Sequence, residues 1–217
     1  MKKFIIIKNK AFTLAEVLIT LGIIGVVAAL TISVLISTSR ANVVVTRMQK
    51  FYSTFNQALM QSEADNGDMS QWVYPTDYYD QAGSMVFYET YLKPYLNVLK
   101  VENRNEALPV FGVKVYLNDG SAVTVAGNWM VYAPVALKTA EYGRDLFIFQ
   151  IQSNYKNATQ GCRDRMSAVG CSCTRSTLRT DAYEGCTDAL PTTQRRTCAA
   201  LIMRDNWTIA SDYPLRF

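Results

Sequence analysis

The chain has 217 residues, 49% of them apolar, with 22 lysines and arginines against 18 acids. That length suits one domain or one domain with an appendage. It contains no histidine, which removes the usual general base, the commonest metal ligand, and the Ser/His/Asp and Cys/His nucleophile systems in their ordinary form.

The charge is unevenly placed. Lys2, Lys3, Lys8 and Lys10 fall in the first ten residues with no acid among them. Without these four, basic and acidic side chains balance. The basic excess therefore belongs to a targeting segment and not to a nucleic-acid surface, so no nucleic-acid partner is expected.

Residues 12–36 (FTLAEVLITLGIIGVVAALTISVLI) are almost wholly apolar. A run of this length is enough to span a bilayer, where about twenty residues suffice. The lysines ahead of it stay on the cytoplasmic side and the rest of the chain lies outside. Glu16 does not fit a plain anchor, because a carboxylate in a membrane segment is costly and points to function. Three readings compete: a signal peptide cut near Ala28-Ala29, an uncut signal anchor, or a cut before the apolar run, after Ala11. Only the third gives Glu16 work to do, about one turn from a new amino terminus at Phe12. A glutamate snorkelling to the headgroups is the bland alternative.

Ala15, Gly22 and Ala29 recur every seven residues, with Gly25 on the next turn. Small residues let helices approach closely in lipid, so these four form a candidate packing seam.

Lys-Asn-Lys-Ala followed by Phe12-Thr13-Leu14-Ala15-Glu16-Val17-Leu18-Ile19 resembles the prepilin cleavage and methylation motif of type IV pilins and type II secretion pseudopilins. The resemblance implies cleavage between Ala11 and Phe12 by a prepilin peptidase, methylation of the Phe12 amine, and pairing of Glu16 with the amine of a neighbouring subunit. An ion pair is tolerable in an apolar filament core where a lone charge is not. The family usually has Gly where this chain has Ala11, and many members carry a proline where it has Ser33.

No Pro or Gly occurs from Thr38 to Asn66, and Val44, Met48, Phe51, Phe55 and Leu59 are spaced by three and four. This predicts that the helix continues as an amphipathic half and ends at Asp65-Asn66-Gly67-Asp68. Its full length, about 80 Å, exceeds what any bilayer needs, so the second half packs on a domain. Residues 70–81 read as a loop. Phe87, Tyr91, Leu92 and Tyr95 predict a short helix ending near Lys93, before Pro94, with the aromatic stripe as core. Strands are predicted at 110–117, 121–126 and 146–151, the first two joined by the turn Asn118-Asp119-Gly120.

The expected fold is α+β: a long N-terminal helix packed on a small antiparallel sheet, followed by a disulfide-stapled C-terminal region. The expected divisions are a leader at 1–11, a transmembrane or filament-core helix at 12–36, its amphipathic continuation at 37–66 and an extracytoplasmic head at 67–217. The segments Gly143-Arg144-Asp145-Leu146-Phe147, Cys198-Ala199-Ala200-Leu201-Ile202 and Asp212-Tyr213-Pro214 are also similar to heads of bacterial prepilin-type proteins.

Residues 152–197 are polar and predicted to be largely structureless. All five cysteines lie in or just after this stretch: Cys162, Cys171, Cys173, Cys186 and Cys198. Behind an export segment they are disulfide candidates, two bridges and one free thiol. Cys171 and Cys173 are too close to pair with each other, and Cys198 is expected to pair with an upstream cysteine; the connectivity stays open. A zinc site lacks the usual Cys spacing. Asp181, Glu184 and Asp188 lack a calcium-loop spacing and read as solvated acids. Arg163, Arg165, Arg175, Arg179, Arg195 and Arg196 lack the regular spacing of a nucleic-acid surface.

The function expected is a structural filament subunit, major or minor, with no catalytic residues, metal or cofactor. Its expected partners are prepilin peptidase, other pilin or pseudopilin subunits, an inner-membrane assembly platform and membrane lipid. It would begin in the cytoplasmic membrane with its head outside and move into a periplasmic or surface filament. The alternative is a membrane-anchored binding protein or adhesin that does not polymerise.

Overall fold

A computed structural model describes residues 13–77, 79–103, 112–135 and 140–217. The fold is α+β. Helix α1 runs unbroken over Leu14–Asn66. It ends where Gly67 takes a left-handed conformation (φ 81°), which glycine adopts at little cost. Contacts divide the chain into a unit ending at Ser39 and a second, Arg40–Phe217.

In the first unit the side chains described along α1 are almost all exposed, including Leu14, Leu18, Ile24, Leu30 and Leu35. One window of this helix, with mean hydropathy 2.6, is long and apolar enough to cross a membrane.

In the second unit α1 changes character. Val44, Met48, Phe51, Phe55 and Leu59, the five positions given by the three-and-four spacing, are all buried. A six-stranded antiparallel meander follows, in the spatial order β1 to β6. The strands are β1 (Val98–Asn103), β2 (Val113–Leu117), β3 (Ala122–Ala126), β4 (Trp129–Ala133), β5 (Phe147–Ile151) and β6 (Met166–Ala168). The sheet is thus twice as wide as the three predicted strands.

Val113, Val115, Val123, Val125, Met130, Tyr132, Phe147 and Phe149 form one core with the buried stripe of α1. The Phe51 ring stacks on Tyr132 at 3.9 Å between centroids and meets Phe149 at 5.3 Å. The opposite sheet face is covered too: Ala122, Val131, Ala133 and Ile148 pack with Tyr142 and Leu146.

The predicted aromatic helix begins at Gln81. Asp80 caps α2 (Gln81–Phe87) by accepting from the Gly83 amide, and the helix widens into a π turn at Tyr88–Leu92. A 3-10 turn with Pro94 in its first positions closes it. Phe87 and Leu92 are core residues, as their spacing predicts.

The region 152–197 departs most from expectation. It holds a 3-10 turn at Tyr155–Asn157, strand β6 and helix α3 (Arg175–Thr180). Met166, Ala168, Leu178 and Cys186, few but all buried, tie it to the core. Helix α4 (Cys198–Arg204) then buries Cys198 through Ile202.

Candidate functional site

Two places carry the chain's most specific side-chain chemistry, one in each unit.

The first is the start of α1. Ala11 and Phe12, the predicted cleavage and methylation positions, lie outside the described residues. Thr13 is described, and it forms a reciprocal cap with Glu16. The Thr13 amide and hydroxyl both donate to Glu16 Oε2, at 2.9 and 2.8 Å. The Glu16 amide donates back to Thr13 Oγ1 at 3.3 Å. This is a capping box, in which a Thr and a Glu three residues on satisfy each other's orphan amides. The Thr-x-x-Glu spacing was a signal in the sequence for it. Both side-chain bonds fall on Oε2.

Ala15, Gly22, Gly25 and Ala29 are all exposed on α1. A Cβ added at Gly22 or Gly25 meets nothing within 4 Å, so neither glycine is required by packing within the chain.

The second place is the turn at 141–146. Asp145 has a side chain only 2% exposed and accepts from Arg40 at 2.6 Å. Its other oxygen accepts from Arg144 at 2.8 Å and from the Glu141 amide at 3.2 Å. Gly143 takes φ 86°, and a Cβ there would lie 2.5 Å from Cys198 Sγ. Only glycine fits this combination of backbone and close approach. The Tyr213 hydroxyl donates to the Gly143 carbonyl. Burial pushes the Tyr213 phenol well above its usual range. Nearby, Arg47 donates to the Pro134 carbonyl at 2.7 Å. Gly143-Arg144-Asp145 therefore joins the head half of α1, the Cys198 bridge and the C-terminal tail.

The cysteines form two bridges, Cys162–Cys171 and Cys186–Cys198, and Cys173 is free. The arginines do not gather into one basic surface. Arg165 bonds Glu63, Arg175 bonds Asp205 and Asp212, Arg179 bonds Asp212, and Arg196 bonds Glu184. Asp181 accepts from the amides of Tyr183 and Glu184, which holds its carboxyl below the ordinary range. A cleft of about 290 Å³ also opens between residues 74–77, residues 127–129 and Ser153.

Comparison with known families divides the chain near the same point as its contacts. The family of unknown function DUF6613 matches residues 34–217. The chain belongs to this family. The prokaryotic N-terminal methylation motif matches residues 7–32. This DUF6613 member therefore carries the amino-terminal signature of type IV pilin-like proteins. No curated protein and no solved structure matches it.

Proposed function

We propose that this DUF6613 protein is a subunit, major or minor, of a type IV pilus-like or type II secretion filament. A prepilin peptidase cuts after Ala11 and the Phe12 amine is methylated. Residues 12–36 hold the subunit in the cytoplasmic membrane and later line the filament core. Residues 37–66 continue the helix into the head, 67–217, on the extracytoplasmic side. The role is structural and not catalytic.

The observation that carries this reading is the methylation motif at residues 7–32 set on a helix whose apolar side chains before Ser39 are almost all exposed among the described residues. Such a surface is stable only in lipid or against other helices. The exposed seam of Ala15, Gly22, Gly25 and Ala29 suits close helix contact. Glu16 then has two tasks. Oε2 caps its own helix through Thr13, and the carboxylate charge meets a neighbouring subunit's terminal amine.

Two substitutions separate these tasks. Glutamine serves in a capping box as well as glutamate does, but it brings no charge. Glu16→Gln should keep the helix start and abolish filament entry, as Glu16→Ala does, while the head stays folded in both. Assembly of Glu16→Gln at the wild-type level would mean that capping, and not charge pairing, is what Glu16 supplies. Assembly of Glu16→Ala would count against the filament reading itself.

A further inference from the structure

The cleft between residues 74–77 and the β3–β4 turn at 127–129 plays no part in the filament role. Its volume, about 290 Å³, is that of the smallest small-molecule sites, which begin near about 300 Å³. Both walls are held from behind. The Tyr74 ring lies 5.2 Å from that of Phe87, and its hydroxyl donates to the Met69 carbonyl at 3.1 Å. The Thr76 amide donates to Asp80 Oδ2 at 3.1 Å. Asp77 Oδ1 accepts from the amides of Tyr79 and Asp80, at 2.7 and 2.9 Å. On the other wall the Gly127 amide donates to the buried Ser84 hydroxyl at 3.2 Å. The Asn128 carbonyl accepts from the Ile151 amide at 2.8 Å. A ligand would meet loops that are already set, which lowers the cost of binding.

The lining side chains keep unused polar groups. Among the described residues no hydrogen bond engages the Asn128 side-chain amide, the Trp129 indole N–H, the Ser153 hydroxyl or Asp77 Oδ2. Asp77 and Ser153 are exposed, and neither Asn128 nor Trp129 has a buried polar atom without a partner, so water reaches all four groups. Asn128 and Ser153 both donate and accept, Trp129 only donates, and Asp77 only accepts. A ligand hydroxyl also donates and accepts, so a ligand bearing several hydroxyls can meet every one of them. Tyr74, Pro75 and Trp129 add the apolar surface that C–H groups need.

Charge narrows the ligand further. Of the described lining residues only Asp77 is charged, so an anionic ligand would be repelled. A quaternary ammonium would suit Asp77 and an aromatic face. It would bring no acceptor for Asn128, Trp129 or Ser153, and the Arg196 guanidinium already lies 5.9 Å from the Trp129 ring. A sugar ring is neutral, carries hydroxyls around its edge and presents C–H groups on its faces.

We propose that this cleft binds a single neutral pyranose ring, with Asp77, Asn128 and Ser153 bonding its hydroxyls and Trp129 lying against its C–H groups.

The test is saturation-transfer difference NMR on the full chain, in micelles of a detergent without a sugar headgroup. The probes are the methyl glycosides of glucose, galactose, mannose and N-acetylglucosamine. At least one should give a saturable signal with Kd of about 1 mM, ordinary for a ligand of this size. Asn128→Ala should raise that Kd about tenfold, and Ser153→Ala about fivefold, through lost hydrogen bonds. Ser153 is exposed, so Ser153→Ala reads the site even if Asn128→Ala fails to fold. Tetramethylammonium is the counter-probe. Its saturable binding in place of the sugars would assign the cleft to a cation and overturn the proposal. So would silence from all four glycosides, or a sugar response equal in the wild type and both variants.

Discussion

Arg40 Nη2 lies 2.6 Å from Asp145 Oδ1 and joins the head end of α1 to the turn before β5 across 105 positions of sequence. The partners are unequal: the Asp145 side chain is 2% exposed and that of Arg40 is 41% exposed. Removing the buried member should therefore cost more. Asp145→Ala strands Arg40, Arg144 and the Glu141 amide together, and should lower head stability by about 3 kcal/mol. Arg40→Ala leaves Asp145 bonded to Arg144, and should cost about 1 kcal/mol. Denaturant melts of both variants and the double variant give the coupling. Additive losses would show that the two residues do not act as a pair.

Phe51 is the centre of the contact between α1 and the sheet, stacked on Tyr132 and touching Phe149. Phe51→Ala should cost about 3–5 kcal/mol through lost burial and the cavity left behind. Phe51→Leu should cost less than half of that. Denaturant midpoints measure both.

The thiol chemistry gives a count. The unreduced, denatured protein should react with a thiol reagent once per chain, at Cys173, because the other four cysteines are bridged. Cys173→Ser should remove that reaction and leave the melting temperature nearly unchanged. Replacing Cys186 and Cys198 together by Ala should cost about 2–4 kcal/mol. It also removes the sulfur against which Gly143 packs.

Acid should weaken the head through Glu63 and Asp68. Burial pushes the Glu63 carboxyl up, but hydrogen bonds from Arg165, Lys156 and Tyr155 outweigh it and leave it below the ordinary range. Lys156, with the Ser70 amide and hydroxyl, holds Asp68 well below its own ordinary range. Both folded-state values lie below the unfolded ones. Their stabilisation is therefore complete above the ordinary carboxylate range, near pH 4, and is lost as pH falls through the depressed values. Melting temperature against pH should fall below about pH 4. Lys156→Met should flatten the fall, and an unchanged profile in that variant would contradict this origin.

Much of the fold was legible in the sequence because it is local. The spacing of Val44 through Leu59 marked the buried stripe of α1, and Asn66-Gly67 marked its end. Asn118-Asp119-Gly120 marked the hairpin between β2 and β3. Strand β4 was hidden because Met130, Val131, Tyr132 and Ala133 are buried on both faces, so no alternation survives. Strand β6 has three residues, too few for a period. Strand β1 was obscured by a register shift between Val98 and Lys100. The functional elements divide in the same way. Glu16 and its cap lie within one turn and show in the sequence. The Asp145 cluster is made by distant segments meeting, and no spacing announces it.

The central claim is that a prepilin peptidase makes Phe12 the mature amino terminus. Intact-mass and N-terminal peptide mass spectrometry of the protein from cells that have the assembly machinery tests it most directly. The account predicts a chain beginning at N-methylated Phe12, with residues 1–11 gone. An uncut chain, or one cut near Ala28-Ala29, would contradict it.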